Sequence, residues 1–274
     1  MSATLDLAAG TVRYSDRGSG RPIVFVHGLL VDGTLWDEVV AKLADGHRCI
    51  VPDLPLGSHR IAMKPNADLS PPGLARLIED LMAALGLEDV TLVGNDTGGA
   101  ICQLVATRHP QRIGRLVLTN CDAYENFPPP AFRYLLLAAR APGGLWPLAK
   151  SIRLNAVRRA PIGYGWLAKR RLDDSLLDRW TEPIRADAEI RRDTARFLRG
   201  VSKRYTLDAA ERLREFDRPA LVAWGRDDRF FKPTYAERLA GAIPDSRLEW
   251  IDDARTFVSI DQPRRVAELI GSLG

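Results

Sequence analysis

The stretch that most limits what this chain can fold into is Val90 to Arg108, VTLVGNDTGGAICQLVATR. A short β-branched apolar run, Val90-Thr91-Leu92-Val93, meets the small-residue turn Gly94-Asn95-Asp96-Thr97-Gly98-Gly99 and then a helix-like segment. Glycines on both sides let the backbone bend where a Cβ would clash, so the central side chain is pushed outward. With serine in the middle, this pattern is a nucleophile elbow: the side chain stands above the sheet and the next backbone N–H is free for an oxyanion. Here the elbow holds Asp96. A helix starting at Thr97 places its positive end against the carboxylate, which predicts that Asp96 stays ionised and able to attack carbon. A capping aspartate in a glycine-rich turn is the plainer reading of the same residues.

Around this stretch the chain alternates strand and helix. Thr4–Leu7 and Thr11–Ser15 predict an antiparallel hairpin about Ala9-Gly10. Ile23–Val26, Cys49–Val51 and Leu116–Thr119 are short apolar runs expected of strands buried on both faces. Helical spacing covers Thr34–Leu43, and Ser70-Pro71 opens a helix whose buried stripe runs from Leu74 to Leu85. From Asp122 to about Phe216 no strand-like run occurs, and Pro-interrupted, Arg-rich helical segments follow one another. The strand–helix rhythm resumes with Ala220–Trp224, Pro233–Ala242, Leu248–Ile251 and Pro263–Leu273. The expected fold is therefore α/β, a mostly parallel doubly wound sheet with an inserted helical lid. Its core is residues 1–121 and 217–274, and the lid is residues 122–216. Phe127-Pro128-Pro129-Pro130 gives the lid a stiff start. Phe132, Tyr134, Leu136 and Leu137, with Trp146, Tyr164, Trp166 and Phe197, are candidates to line an apolar pocket or to form lid core. The lid arginines read as solvated helix faces.

Two motifs complete the pattern at the carboxyl ends of strands, where ligand chemistry gathers in such sheets. They are His27-Gly28 after the first parallel strand and Gly225-Arg226-Asp227-Asp228 after a late one; Pro52-Asp53-Leu54-Pro55 follows the strand between. With the Asp96 elbow, these residues resemble the α/β-hydrolase superfamily over nearly the whole chain. They are most similar to its branch with an aspartate nucleophile, which includes haloalkane dehalogenases and epoxide hydrolases. The resemblance implies that the Gly28–Leu30 backbone supplies an oxyanion donor, Leu29 pairing with Thr97. It also implies that His27 braces its loop and that Asp228, with Asp227 as fallback, is the acid that orients a catalytic histidine.

That histidine is missing. In the segment spanning Asp252 to Pro263 its slot is Thr256, and no histidine occurs beyond His109. A covalent Asp96 ester needs a base to deprotonate water, and a threonine hydroxyl is no substitute for imidazole. His59, on the loop after the Cys49–Val51 strand, is the candidate replacement base, an ordinary exposed histidine being the plainer reading. Thr97 stands where the named subfamilies carry tryptophan, and Leu29-Leu30 replaces their Asn-Pro or Phe-Pro.

These residues predict a hydrolase acting on a small to medium apolar organic substrate such as an ester or epoxide, with Asp96 as nucleophile or water-activating carboxylate. The alternatives are a lyase, isomerase or cyclase in which Asp96 moves a proton, or a ligand-binding protein without turnover. The remaining expectations follow from composition. The net charge of +4 is modest and interspersed, arguing against a nucleic-acid groove. No apolar run reaches membrane-spanning length, so the expected setting is cytoplasmic, without membrane partners, as monomer or homodimer. Cys49, Cys102 and Cys121 lack metal-site spacing, and with no nucleotide fingerprint no metal or cofactor is expected.

Overall fold

The apolar runs become strands that extend slightly beyond the runs themselves. In the computed structural model, which describes residues 2–273, the strands are β1 (Ser2–Leu7), β2 (Gly10–Arg17), β3 (Arg21–Val26), β4 (His47–Pro52), β5 (Val90–Asp96), β6 (Ile113–Cys121), β7 (Ala220–Gly225) and β8 (Ser246–Ile251). They form one sheet in the order β1-β2-β4-β3-β5-β6-β7-β8. The β1–β2 and β2–β4 pairings are antiparallel, and every pairing from β4 through β8 is parallel. The two strands flanking β5 are β3 and β6, so the Asp96 turn sits at the centre of the sheet's carboxyl edge.

Alternate residues of each central strand feed opposite faces, as the pleat requires. Val24, Val26, Leu92, Leu116 and Val222 pack into one core cluster. Ile23, Phe25, Val93, Val117 and Leu221 pack into the other. On the second face lie α1 (Asp37–Leu43), α11 (Val258–Asp261) and α12 (Pro263–Gly271); on the first lie α2 (Pro71–Ala84), α3 (Thr97–Arg108) and α10 (Pro233–Ala242). The α2 start is capped as its sequence predicts, the Ser70 side chain accepting the Gly73 N–H at 3.3 Å with proline at the first turn. The Thr34–Leu43 segment differs from a single helix. It begins as a 3₁₀ turn, Gly33–Trp36, because Asp32 accepts the Thr34 N–H at 3.0 Å and holds the chain tight before α1 starts.

Between β6 and β7 the chain makes α4 (Arg133–Arg140), α5 (Leu145–Ser151), α6 (Asn155–Arg158), α7 (Asp174–Ala186), α8 (Ala188–Gly200) and α9 (Lys203–Arg212). This helical insertion is pinned to the core by buried polar groups. Asp32 accepts from Arg179 Nε at 2.7 Å and from Trp180 Nε1 at 3.1 Å, both on α7. Ser58 donates to the Trp180 carbonyl at 2.6 Å, and Tyr164 donates to the Leu30 carbonyl at 2.5 Å. Among the described residues no helix is long and apolar enough to cross a membrane.

Candidate active site

The bend between β5 and α3 is built by close packing. A Cβ on Gly98 would lie 2.4 Å from the Val26 carbonyl, and one on Gly99 would lie 2.3 Å from Cys121 Cβ, so glycine alone lets α3 start this near β3 and β6. The residue that takes the awkward backbone is Asp96, at φ 54°, ψ −132°. A non-glycine residue held at such angles is strained and persists only when its surroundings dictate it. Its side chain caps no helix N–H. It reaches instead to the neighbouring strand end, where Leu29 N–H donates to Asp96 Oδ2 at 3.2 Å. The Thr97 N–H, short of a hydrogen bond, also favours the charged form of this carboxyl group. Gly28 makes that placement possible, since a Cβ there would sit 2.0 Å from Asp96 Oδ2.

The charge state differs from the sequence expectation. Burial pushes the Asp96 carboxyl up to about 7; the Thr97 and Leu29 N–H groups pull the other way, and the Asp228 carboxyl adds to the rise. The helix end alone does not keep it fully ionised, because desolvation outweighs two backbone donors. The residue nevertheless is only partly buried, whereas Asn95 and Thr97 on either side of it are buried.

Asp228 is turned inward and saturated with donors. Its Oδ1 accepts from Phe230 N–H at 2.7 Å and Phe231 N–H at 3.0 Å; its Oδ2 accepts from Asn120 Nδ2 at 2.8 Å and Thr256 Oγ1 at 2.9 Å. Burial raises it to about 6 against these four bonds. Asp227, one residue earlier, pairs with Lys169 at 2.6 Å on the surface. Thr256 is fully buried, and its carbonyl accepts from Asn95 Nδ2 at 2.7 Å. Because Asn95 also donates to Thr119 Oγ1 at 2.9 Å and to the Asn120 carbonyl at 3.1 Å, one amide ties together the ends of β5 and β6 and the Thr256 loop.

The two histidines serve other ends. His27 Nδ1 donates to the Gly28 carbonyl at 2.8 Å, and Nε2 accepts the Leu54 N–H at 2.9 Å, an arrangement that assigns the neutral tautomer; burial holds its pKa below the usual value. His59 is buried rather than exposed. Its Nδ1 accepts the Gly57 N–H at 3.4 Å and its Nε2 faces Asp193 Oδ2 at 3.5 Å. Both ring nitrogens are therefore engaged at the joint between the loop after β4 and α8, and the structure gives Asp96 no hydrogen bond from this ring.

Sequence reasoning passed over Asp122, Asn120 and Asn95. Asp122 follows the end of β6, accepts from Thr97 Oγ1 at 3.2 Å, and carries a buried Oδ1 with no hydrogen-bond partner. Burial, and after it the nearby Asp96 charge, push its carboxyl well above the ordinary carboxylate range. Its position at the carboxyl end of a parallel strand was the available signal. Among the described residues no three His, Cys, Asp or Glu side chains are grouped to hold a metal ion.

An apolar cavity of about 410 Å³ lies between Leu30 and the insertion, bounded by Tyr134, Leu148, Ile152, Val157 and Ile184. Of the aromatic residues expected to line a pocket, Tyr134 does so. Phe197 and Tyr164 are buried core, Phe132 and Trp166 pack on Phe230, and Trp146 and Leu137 face solvent. Apart from Tyr134, the cavity is left mostly to aliphatic side chains.

Known proteins share this plan. The chain is 26% identical to haloalkane dehalogenase 2 of Mycobacterium tuberculosis over 98% of its own length and 93% of the relative's. It is 28% identical to the cis-3-alkyl-4-alkyloxetan-2-one decarboxylase of Xanthomonas campestris, over 94% and 90%. A crystal structure of an α/β hydrolase fold protein from Burkholderia ambifaria superimposes with a TM-score of 0.82 at 23% identity, covering 98% of this chain and 96% of that one. Residues 21–263 match the family model for the alpha/beta hydrolase fold, an interval that contains the elbow, the Leu29 donor, Asp228 and Thr256. With strand order, central bend and sequence all in agreement, the chain belongs to the α/β-hydrolase fold family.

Proposed function

We propose that this protein is a hydrolase whose reacting group is the Asp96 carboxylate, acting by attack on a saturated carbon of a small to medium apolar substrate such as an epoxide, a strained lactone or an alkyl halide. As the ester bond forms, the ring C–O bond opens, an epoxide oxygen taking a proton from water, or halide leaves as the ion. The observation that carries this reading is the Leu29 N–H on Asp96 Oδ2. The backbone donors that would serve a substrate carbonyl in a serine enzyme are here spent on the aspartate itself. That arrangement leaves Oδ1 as the attacking atom, and Oδ2 becomes the carbonyl oxygen of an ester already seated on the donors that would stabilise it when water attacks. The relatives' names point to the same kind of substrate: one is a dehalogenase, the other acts on an alkyl-substituted oxetanone. The helical insertion serves as the lid, and its aliphatic cavity against Leu30 favours an alkyl substituent.

Release of the ester is the step this chain handles differently. Thr256 Oγ1 and Asp228 stand in the vacated slot. A water hydrogen-bonded to Thr256 passes a proton through the hydroxyl to Asp228, a weaker base than imidazole aided by position, so turnover is slow and the ester long-lived. In a serine triad, loss of the base costs on the order of a millionfold in turnover. A second reading draws on the Asp96 carboxyl near 7, a value suited to proton transfer, and makes the protein an isomerase or lyase. The two are separated by incubating the protein with a terminal epoxyalkane and recording intact mass. A persistent alkyl adduct lost in Asp96→Asn supports attack, and product formation with no adduct under any quench supports proton transfer.

A further inference from the structure

One half of the helical insertion has an unusual charge. Residues 126–172 contain nine Lys and Arg and no Asp or Glu, in a chain whose net charge is only +4. Some of these cations are neutralised from outside the stretch: Arg158 pairs with Asp174 at 3.0 Å and Asp178 at 2.6 Å, and Lys169 with Asp227 at 2.6 Å. Arg133, Arg140, Lys150 and Arg153 are exposed, and among the described residues none of the four has a carboxylate at ion-pair distance.

The same helices expose apolar surface. Of the eight large hydrophobic residues that face solvent among those described, six lie between positions 134 and 162: Tyr134, Leu137 at 66% exposure, Trp146 at 49%, Leu154 at 61%, Val157, and Ile162 at 50%. Scattered exposed apolar residues need no explanation, but six within one short helical run do. Lys150 Nζ stands 4.4 Å over the Trp146 ring, so the exposed indole and a free cation occupy one spot. Tyr134, Val157 and Ile162 also line the 410 Å³ aliphatic cavity, and Tyr134 Oη donates to the Ile162 carbonyl at 3.4 Å. Three of the six exposed apolar residues are therefore part of the cavity wall.

We infer that the α4–α6 surface binds an anionic lipid bilayer, lying in its interface with Trp146, Leu154 and Ile162 among the headgroups and Arg140, Lys150 and Arg153 on the lipid phosphates. Uncharged polar protein surfaces do not combine unpaired cations with exposed Leu, Ile and Trp; an interfacial surface needs both. A soluble polyanion would be met by the cations alone and would leave the apolar residues in water. Docked in this way, the protein presents the cavity rim to the lipid, and apolar compounds dissolved there reach the cavity without crossing water. This association is peripheral, with no segment crossing the bilayer, and it does not depend on the chemistry assigned to Asp96.

The test is sedimentation of the full chain with vesicles of phosphatidylcholine alone or with about one third phosphatidylglycerol. The expected result is capture by the phosphatidylglycerol vesicles only, with release at about 0.5 M salt. Each of Arg140→Glu, Lys150→Glu and Arg153→Glu is expected to weaken capture about fivefold or more, and Trp146→Ser to weaken it at constant charge. Asp96→Asn is expected to bind as the wild type does, which separates failure of this inference from failure of the catalytic one. No capture at low salt, equal capture by both vesicle types, capture unchanged in the charge-reversal variants, or retention on heparin without vesicle binding would each overturn the assignment.

Discussion

Asp96 occupies a backbone conformation that an L-residue avoids, and Gly28 is shaped to receive its carboxylate. A methyl group at position 28 would overlap Asp96 Oδ2, so Gly28→Ala is expected to abolish chemistry at Asp96 while costing about 1–3 kcal/mol of stability from overpacking; adduct yield and denaturant unfolding measure the two effects separately. The charge on Asp96 is a burden to the fold. Its native pKa near 7 lies above the unfolded value, so the native state binds more protons than the unfolded chain between about pH 4 and 7. Stability supplied by the protonated form is complete below the unfolded pKa and is lost as pH rises through the folded one. Asp96→Asn, which removes the ionisation, should therefore raise stability at pH 8 by a few kcal/mol and leave it nearly unchanged at pH 4. A thermal unfolding series at the two pH values reads this directly. Thr256→His places an imidazole beside Asp228; if the slot is otherwise intact, release of the Asp96 ester should accelerate by at least tenfold, measured as adduct decay.

At the scale of elements, the insertion is held down by buried polar joints. Asp193 joins His59, the Met63 N–H at 2.7 Å and Arg192 at 2.9 Å; burial opposes its charge, but these donors together bring its pKa below the ordinary value. Removing one partner of such a network leaves the rest buried and unpaired, which costs about 3–5 kcal/mol. Asp193→Ala is accordingly expected to loosen α8 from the loop after β4 and expose that loop to protease, while β5 and α3 stay protected. The elements of the sheet and its flanking helices were legible in the sequence because apolar runs of β-branched residues, Ser70-Pro71 and the glycine turn are local signals. The partners of His59 were not, since Asp193 is 134 residues away in the chain and a lone histidine carries no mark of what it will meet. For the same reason no local signal foretold that desolvation would outweigh the helix end at Asp96. Whether Asp122 faces solvent or a carboxylate is likewise decided only by packing.

Across the whole molecule, the sheet brings Asp96, Asp228 and Thr256 to one edge from three separate strand ends, and Asn95 and Asn120 lock those ends together. In the proposed reaction the ionised form of Asp96 attacks, so the rate of adduct formation should rise with pH through about 7 and level off above it, a profile absent from Asp96→Asn. Because the Asp228 carboxyl raises Asp96 and Asp96 in turn raises Asp122, the profile belongs to the cluster of carboxyls as a unit. The central claim, that Asp96 itself forms the bond to carbon, is tested most directly by reaction with a terminal epoxyalkane in ¹⁸O-water followed by mass analysis of the peptide containing Asp96. The account predicts either the alkyl group or ¹⁸O in the Asp96 carboxyl, since water that releases the ester attacks Cγ. Product formed while that peptide carries neither the alkyl group nor the label would contradict it.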